Sequence, residues 1–301
     1  MSSGLLKWSL KIFFDKIPES FLWTLANDFI AGKDNGSALA KARELNQKGF
    51  SVSLDYIGED VADINKVSAI AGEYSGNIFL IQRDGLNADI SLKLSQFGIL
   101  GHQNKTFSEW RNMARFLEIL AMMAQQAGIK IWIDAEQLSS RIETWAFATD
   151  LNRSFGNIGI CIQAYTPDAI DFLENQISKG WNGSIRVCKG AYNEKGILTG
   201  GALYGNFISL CSLAIKNGLF LQVATHDDLL LDRIWKYVAY THHEYSMLLG
   251  VNNMRAKKLI SMGEKVRIYL PYGNDIRGYL LRRISERPRY ALLPLRRLLK
   301  G

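Results

Sequence analysis

Tyr279, Arg282, Arg283 and Glu286 fall at i, i+3, i+4 and i+7 of the stretch YLLRRISERP, so a helix there presents all four on one face. Two adjacent guanidiniums beside a phenol form a fork suited to a small carboxylate, which arginine grips in bidentate fashion. The alternative is a solvated basic face near a helix end. Just upstream, VRIYLP reads as a strand stopped by Pro271, and PYGND as a turn. Earlier in the chain, polar residues recur near the C-terminal ends of successive apolar tracts. They are Asp55 in FSVSLDY, Lys93 in DISLKLS, Asp134 in KIWIDAE and Gln163 in NIGICIQAY. Lys189 in SIRVCKGAY, Thr225 and His226 in LFLQVATHD and Tyr269 in VRIYLP continue the series.

Something must bring these positions together. The tracts begin near residues 50, 89, 130, 157, 184, 219, 242 and 266, and helical periodicity fills the intervals, for example over 106–127, 138–154 and 200–217. Apolar strands alternating with helices imply a parallel sheet buried on both faces. Eight such units over 48–288 fit an α/β fold of the (β/α)8 TIM-barrel type, with an open doubly wound sheet as the alternative. In a barrel the strand C-termini converge on one mouth, where chemistry is found. Residues 1–47 read as an N-terminal helical segment packing on the barrel, with Leu5, Trp8, Ile12, Phe13, Phe21, Leu22, Leu25 and Phe29 facing the core. Residues 289–301 form a basic, apolar tail.

A hydrophobic content of 48% over 301 residues is enough for a substantial core. The net charge of +7 admits nucleic acid, an anionic membrane or an anionic ligand as its cause. Its concentration in Arg282, Arg283, Arg287, Arg289, Arg296, Arg297 and Lys300 points to a local cause, and no nucleic-acid partner is expected. Cys161, Cys188 and Cys211 are odd in number and lie in apolar surroundings, as buried thiols of a cytoplasmic protein do. Neither a signal peptide nor a transmembrane stretch is apparent.

Each motif has a plainer reading. Arg186 lies inside an apolar strand, where an unpaired charge is expensive; it faces a polar ligand or a carboxylate, or closes an ion pair across the barrel. Gly190 in KGAY stands where the backbone must bend or approach a ligand. Lys93 invites a Schiff-base aldolase reading, against a lysine paired with a barrel carboxylate. Asp55 and Asp134 could act as bases but suit the holding of neighbouring cations. The adjacent His242 and His243 point to opposite faces of a strand and read as structural, and no metal-ligand spacing accompanies ATHD. Walker loop, nucleophile elbow and GxGxxG are all absent.

VSLDYIGED, ISLKLS, IDAE, IQAY, RVCKGAYNE, ATHD, EYSMLLG and YLPYG followed by YLLRRISERP, in this order over residues 50–288, resemble the proline dehydrogenase family. The resemblance implies a distorted (β/α)8 barrel that holds FAD non-covalently and oxidises L-proline to 1-pyrroline-5-carboxylate, passing electrons to a membrane quinone. It implies Lys93, Arg282 and Arg283 on the proline carboxylate, with Tyr269, Leu248 and Ala191 about the ring beside Tyr279. Asp134, Gln163, Arg186, Lys189, Gly190, Thr225 and His226 would hold the flavin and its tail. Asp55 and Glu59 would order the cationic substrate site, and Glu286 would pair with the fork or the cofactor. Bulky Tyr269 favours unsubstituted proline over hydroxyproline. Three departures fall at Asn193, Ser246 and Asp227, where the family usually has Trp or Leu, Gln and Asn. The tail suits a peripheral membrane contact or packing on the barrel. A cyclic amino acid oxidase, a lysine aldolase and a non-catalytic barrel subunit remain the alternatives.

Overall fold

From Ser51 to Tyr272 the chain alternates strand and helix, as the apolar tracts require. The computed structural model describes residues 18–100, 106–192, 194–238 and 241–280. Eight parallel strands close in sequence order: β1 Ser51–Tyr56, β2 Ala88–Leu92, β3 Ile131–Ile133, β4 Ile158–Gln163, β5 Ser184–Cys188, β6 Leu221–Ala224, β7 His243–Leu248 and β8 Val266–Tyr272. Two helices precede them, α1 Glu19–Ala26 and α2 Asn35–Gln47. Outside the barrel run α3 Ile64–Asp84, α4 Phe107–Gln126, α5 Arg141–Phe155, α6 Ala169–Ser178, α7 Gly200–Lys216, α8 Asp228–Val238 and α9 Asn253–Ser261. A further helix starts at 276. The expected barrel is therefore present, and the open sheet is excluded because β1 pairs with both β2 and β8.

The strands read as apolar because one side of each packs on helices: Val52, Leu54, Ile90, Leu92, Ile131 and Ile133 are all buried in the main core. The other side faces inward, and much of it is polar. Arg267 Nη1 lies 3.1 Å from Asp89 Oδ2, which also accepts from Trp132 Nε1 at 2.7 Å. Buried charges survive there because they are paired and hydrogen-bonded. This ionic filling replaces the branched aliphatic layers common in such barrels.

Several strands are shorter than the expected tracts, and two boundaries bear on the site. Pro271 does not stop β8, which runs on to Tyr272 with Pro271 opposite Asp55. Proline lacks only the N–H; its carbonyl is still available, and it accepts from Ala31 N–H at 2.8 Å. Strand β2 ends at Leu92 and not at Ser95, because Leu94–Phe97 forms a 3-10 turn. The N-terminal segment packs near the mouth: Leu22, Ala26, Phe29 and Ile30 share a second core with Ile57, Val251, Ile276, Tyr279 and Leu280. The expected contacts of Leu5, Trp8, Ile12 and Phe13 lie outside the described residues.

Candidate active site

The first residue after a strand is where a barrel delivers side chains to its mouth, and Lys93, Asp134, Lys189 and Thr225 each hold that place, after β2, β3, β5 and β6. Asp55, Gln163, Leu248 and Tyr269 come from the strands themselves. With Arg186, Gly190, Ala191, His226, Glu59 and Tyr279 they line one cavity of about 410 Å³. That volume lies within the range of small-molecule sites. Arg282, Arg283 and Glu286, the rest of the expected set, lie outside the described residues.

Lys93 is held from below. Its backbone N–H donates to Gln96 Oε1 at 2.8 Å, and Gln96 in turn accepts from the buried Tyr74 hydroxyl at 3.1 Å. Its ammonium stands 3.2 Å from Asp55 Oδ1 and 3.8 Å from Asp134 Oδ2. Burial alone would drive a lysine towards neutrality, but the charges of Asp55, Asp134 and Glu59 outweigh it and hold Lys93 above the ordinary lysine range. A Schiff-base nucleophile needs a neutral amine, so this environment opposes the aldolase reading. Asp55 is 2% exposed, and burial pushes its carboxyl up to about 6, with Asp134 adding to the rise and Lys93 opposing it.

Asp134 gathers donors from four directions. Ser91 Oγ donates at 2.9 Å, Arg186 Nη1 at 2.6 Å and Tyr269 OH at 2.6 Å, with Lys93 beyond. Burial and the charges of Asp134 and Asp55 hold the Tyr269 phenol well above the ordinary range, so it remains a donor. The Arg186 guanidinium lies over the Trp132 ring at 4.6 Å and near that of Tyr269 at 5.6 Å. Its Nη2 is buried without a protein partner, as is Gln163 Oε1, whose amide nitrogen donates to the Glu136 carbonyl at 2.7 Å. Arg186 thus closes the ion pair across the barrel on one edge, and its other edge has no protein partner.

Beyond Arg186 the wall changes character. Lys189 Nζ and the Tyr204 hydroxyl both donate to Asp227. Burial works against that carboxylate, but these donors bring it down to about 2. The departure at Asp227 thus ties up the lysine beside it. His226 Nε2 accepts from Leu248 N–H at 2.7 Å, so a neutral His226 carries its proton on Nδ1. Gly190 has φ +112°, and a Cβ there would come within 2.5 Å of the Tyr165 ring.

The sequence reading missed several lining residues, Cys161, Cys188 and Tyr192 among them, while Ser246, noted as a departure from the family pattern, lines the cavity too. The signal was period two, since Cys161 shares a face with Gln163 and Cys188 with Arg186. Cys161 Sγ and Cys188 Sγ lie 3.2 Å apart as free thiols, and Cys211 is buried. His243 Nε2 lies 3.4 Å from Glu264 and His242 packs edge-on against Phe220, both structural places. No cluster of metal-ligating side chains and no helix able to cross a membrane occurs among the described residues.

The chain is similar to known proteins over most of its length. Proline dehydrogenase 1 of Bacillus subtilis (strain 168) is 31% identical over 283 residues, 91% of each chain. The proline dehydrogenase of Deinococcus radiodurans is 28% identical over 297 residues, covering 95% of this chain and 94% of its own. Among solved structures, proline utilization A (PutA) from Bdellovibrio bacteriovorus, inactivated by N-propargylglycine, superposes with a TM-score of 0.76 at 20% identity. That likeness, one of fold, covers 87% of this chain and only 32% of the longer PutA. The family model for proline dehydrogenase matches residues 38–199. With the family model matching more than half of the chain and near full-length relatives in agreement, the chain belongs to the proline dehydrogenase family.

Proposed function

We propose that the protein oxidises L-proline to 1-pyrroline-5-carboxylate with a non-covalently held FAD and delivers the electrons to a quinone. The observation that carries this reading is a pair of buried polar atoms without protein partners on two residues that line the cavity, Arg186 Nη2 and Gln163 Oε1. One is a donor and the other an acceptor, and an isoalloxazine ring offers partners of both kinds. Asp134, Arg186 and Gln163 would hold the ring, and Lys189, Gly190, Ala191, Thr225 and His226 its tail, with Asp227 competing for Lys189. When bound, the flavin supplies the two-electron chemistry by accepting hydride at N5, which no side chain can do.

The chain's own residues orient and charge the site. Lys93, kept cationic by Asp55 and Asp134, would clamp the proline carboxylate together with Arg282 and Arg283. Tyr269, Leu248, Ala191 and Tyr279 would wall the ring, Asp55 and Glu59 would balance the cations, and Glu286 would pair with the fork or the cofactor. The positive charge of Arg186 would favour the reduced, anionic ring. Tyr269 is anchored to Asp134 and cannot swing aside without losing that bond, which favours unsubstituted proline. The test is a spectrum: purified protein should be yellow, and anaerobic L-proline should bleach it while lactate does not. Protein that refuses FAD on reconstitution would overturn the cofactor assignment. The tail 289–301, outside the described residues, is the proposed peripheral membrane contact for quinone; unchanged liposome partitioning after its deletion would reject that part.

A further inference from the structure

Arg186 does not hold its orientation through the cavity residues alone. In strand register it stands opposite Gln222 of β6, and Gln222 stands opposite Glu244 of β7. A hydrogen-bonded row follows that register. Arg186 Nε donates to Gln222 Oε1 at 2.6 Å, Gln222 Nε2 donates to Glu244 Oε1 at 2.6 Å, and Arg267 Nε of β8 donates to the same oxygen at 2.6 Å. Gln222 is 0% exposed, and neither it, Glu244 nor Arg267 lines the cavity. Its amide has one workable orientation: reversed, it would set NH₂ against a guanidinium and oxygen against a carboxylate. Both amide atoms are thus committed, and Arg186 has Nε and Nη1 occupied while Nη2 has no protein partner.

We infer that Gln222 is a positioning residue for the reaction: acting through Arg186, it selects the guanidinium edge presented to the cofactor. A neutral acceptor at Nε is the feature that matters. It fixes the rotation of the guanidinium without cancelling its charge, whereas a second carboxylate beside Asp134 would leave Arg186 little positive field to offer the cavity. The lower tier of Glu244, Arg267 and Asp89 then serves as the rigid footing of that amide. The inference rests on the flavin reading only in naming what meets the unfilled edge.

Two substitutions separate positioning from mere packing. Gln222→Met keeps the volume and removes the acceptor; Gln222→Glu keeps the acceptor and sets a second carboxyl oxygen against Glu244, adding negative charge to the row once both are ionised. Crystal structures of the variants without cofactor come first, because they do not depend on flavin. Gln222→Met should show the Arg186 guanidinium rotated, with Nη2 displaced from its present place; an unmoved guanidinium would overturn the proposal whether or not flavin binds. In flavin-loaded protein both variants should slow reduction by proline about tenfold, with KM little changed, a smaller loss than removal of a direct charge-stabilising donor brings. Gln222→Glu should also lower the flavin midpoint potential by about 30 mV, the equivalent of a tenfold change for a two-electron couple. A fall in melting temperature with potential and reduction rate unaltered would reduce Gln222 to a structural residue. Should neither variant fold, Glu244→Gln reads the same row from its far end, where a normal potential and an unmoved Arg186 would sink the idea.

Discussion

Lys93 faces two carboxylates, and that arithmetic decides what its loss would do. Asp134 has other donors in Ser91, Arg186 and Tyr269, so the residue left exposed to the change is Asp55. Removing one partner of a buried pair costs about 3–5 kcal/mol because the other charge stays uncompensated. Asp55 relieves part of this by taking up a proton, since burial already favours its neutral form. Lys93→Met should therefore lose about 2–4 kcal/mol in urea unfolding and raise the proline KM at least about tenfold, with a smaller effect on kcat. An unchanged KM would remove Lys93 from the carboxylate clamp. At this scale the sequence was readable for residues at strand ends, whose place in each unit repeats. Their partners were not. Arg186 meets Ser91 across 95 residues and Tyr269 meets Asp134 across 135, so no local spacing could announce those bonds. Gln222 and Glu244 belong to that hidden set, although a charge inside an apolar strand is itself a sign that the barrel interior is polar.

Elements set what the residues can reach. The eight apolar tracts announced eight strands, but their ends were harder to place, because a polar residue just beyond a strand looks in sequence like its last member. Lys93 is such a case: expected within a strand, it instead precedes the turn Leu94–Phe97, and that turn supplies the Gln96 that fixes its backbone. Pro271 is the reverse case, a residue read as a stop whose carbonyl was still free to hold the N-terminal segment. Gly190 carries the sharpest local demand. It follows β5 by two residues, at φ +112°, with the Tyr165 ring where its Cβ would be. Alanine there suffers an unfavourable backbone and a clash together, for a loss of about 1–3 kcal/mol. The loop carrying Lys189 and Ala191 must shift to relieve it. Gly190→Ala should thus lower the urea midpoint and weaken flavin retention on gel filtration; a variant as stable as the parent would show that the loop yields without cost.

A barrel filled with ion pairs should declare itself in how the whole molecule responds to pH. Asp55 binds its proton more tightly folded, at about 6, than unfolded, near the ordinary aspartate value. The folded chain consequently holds more protons between about pH 4 and 6, and unfolding free energy falls as pH rises through that window. A shift of this size is worth roughly 3 kcal/mol. Burial raises Asp89 and Glu136 as well, so they act in the same direction. Surface carboxylates oppose them at lower pH. Hydrogen bonds from Lys41 and Lys48 bring Glu44 down to about 2, and those from Arg83 and Arg43 do the same for Asp84. Their contribution is present above the ordinary carboxylate range and is lost as pH falls towards 2, weakly, because solvent screens exposed pairs. Stability should therefore peak near pH 4–5 and decline towards neutrality. Asp55→Asn removes one of the declining contributions while keeping the shape of the side chain. Urea unfolding at pH 4.5, 5.5, 6.5 and 7.5 should show the parent losing stability across the series and the variant losing clearly less. Parallel curves would mean that Asp55 stays ionised beside Lys93 throughout, and that the cation in the mouth fully compensates the carboxylate beneath it.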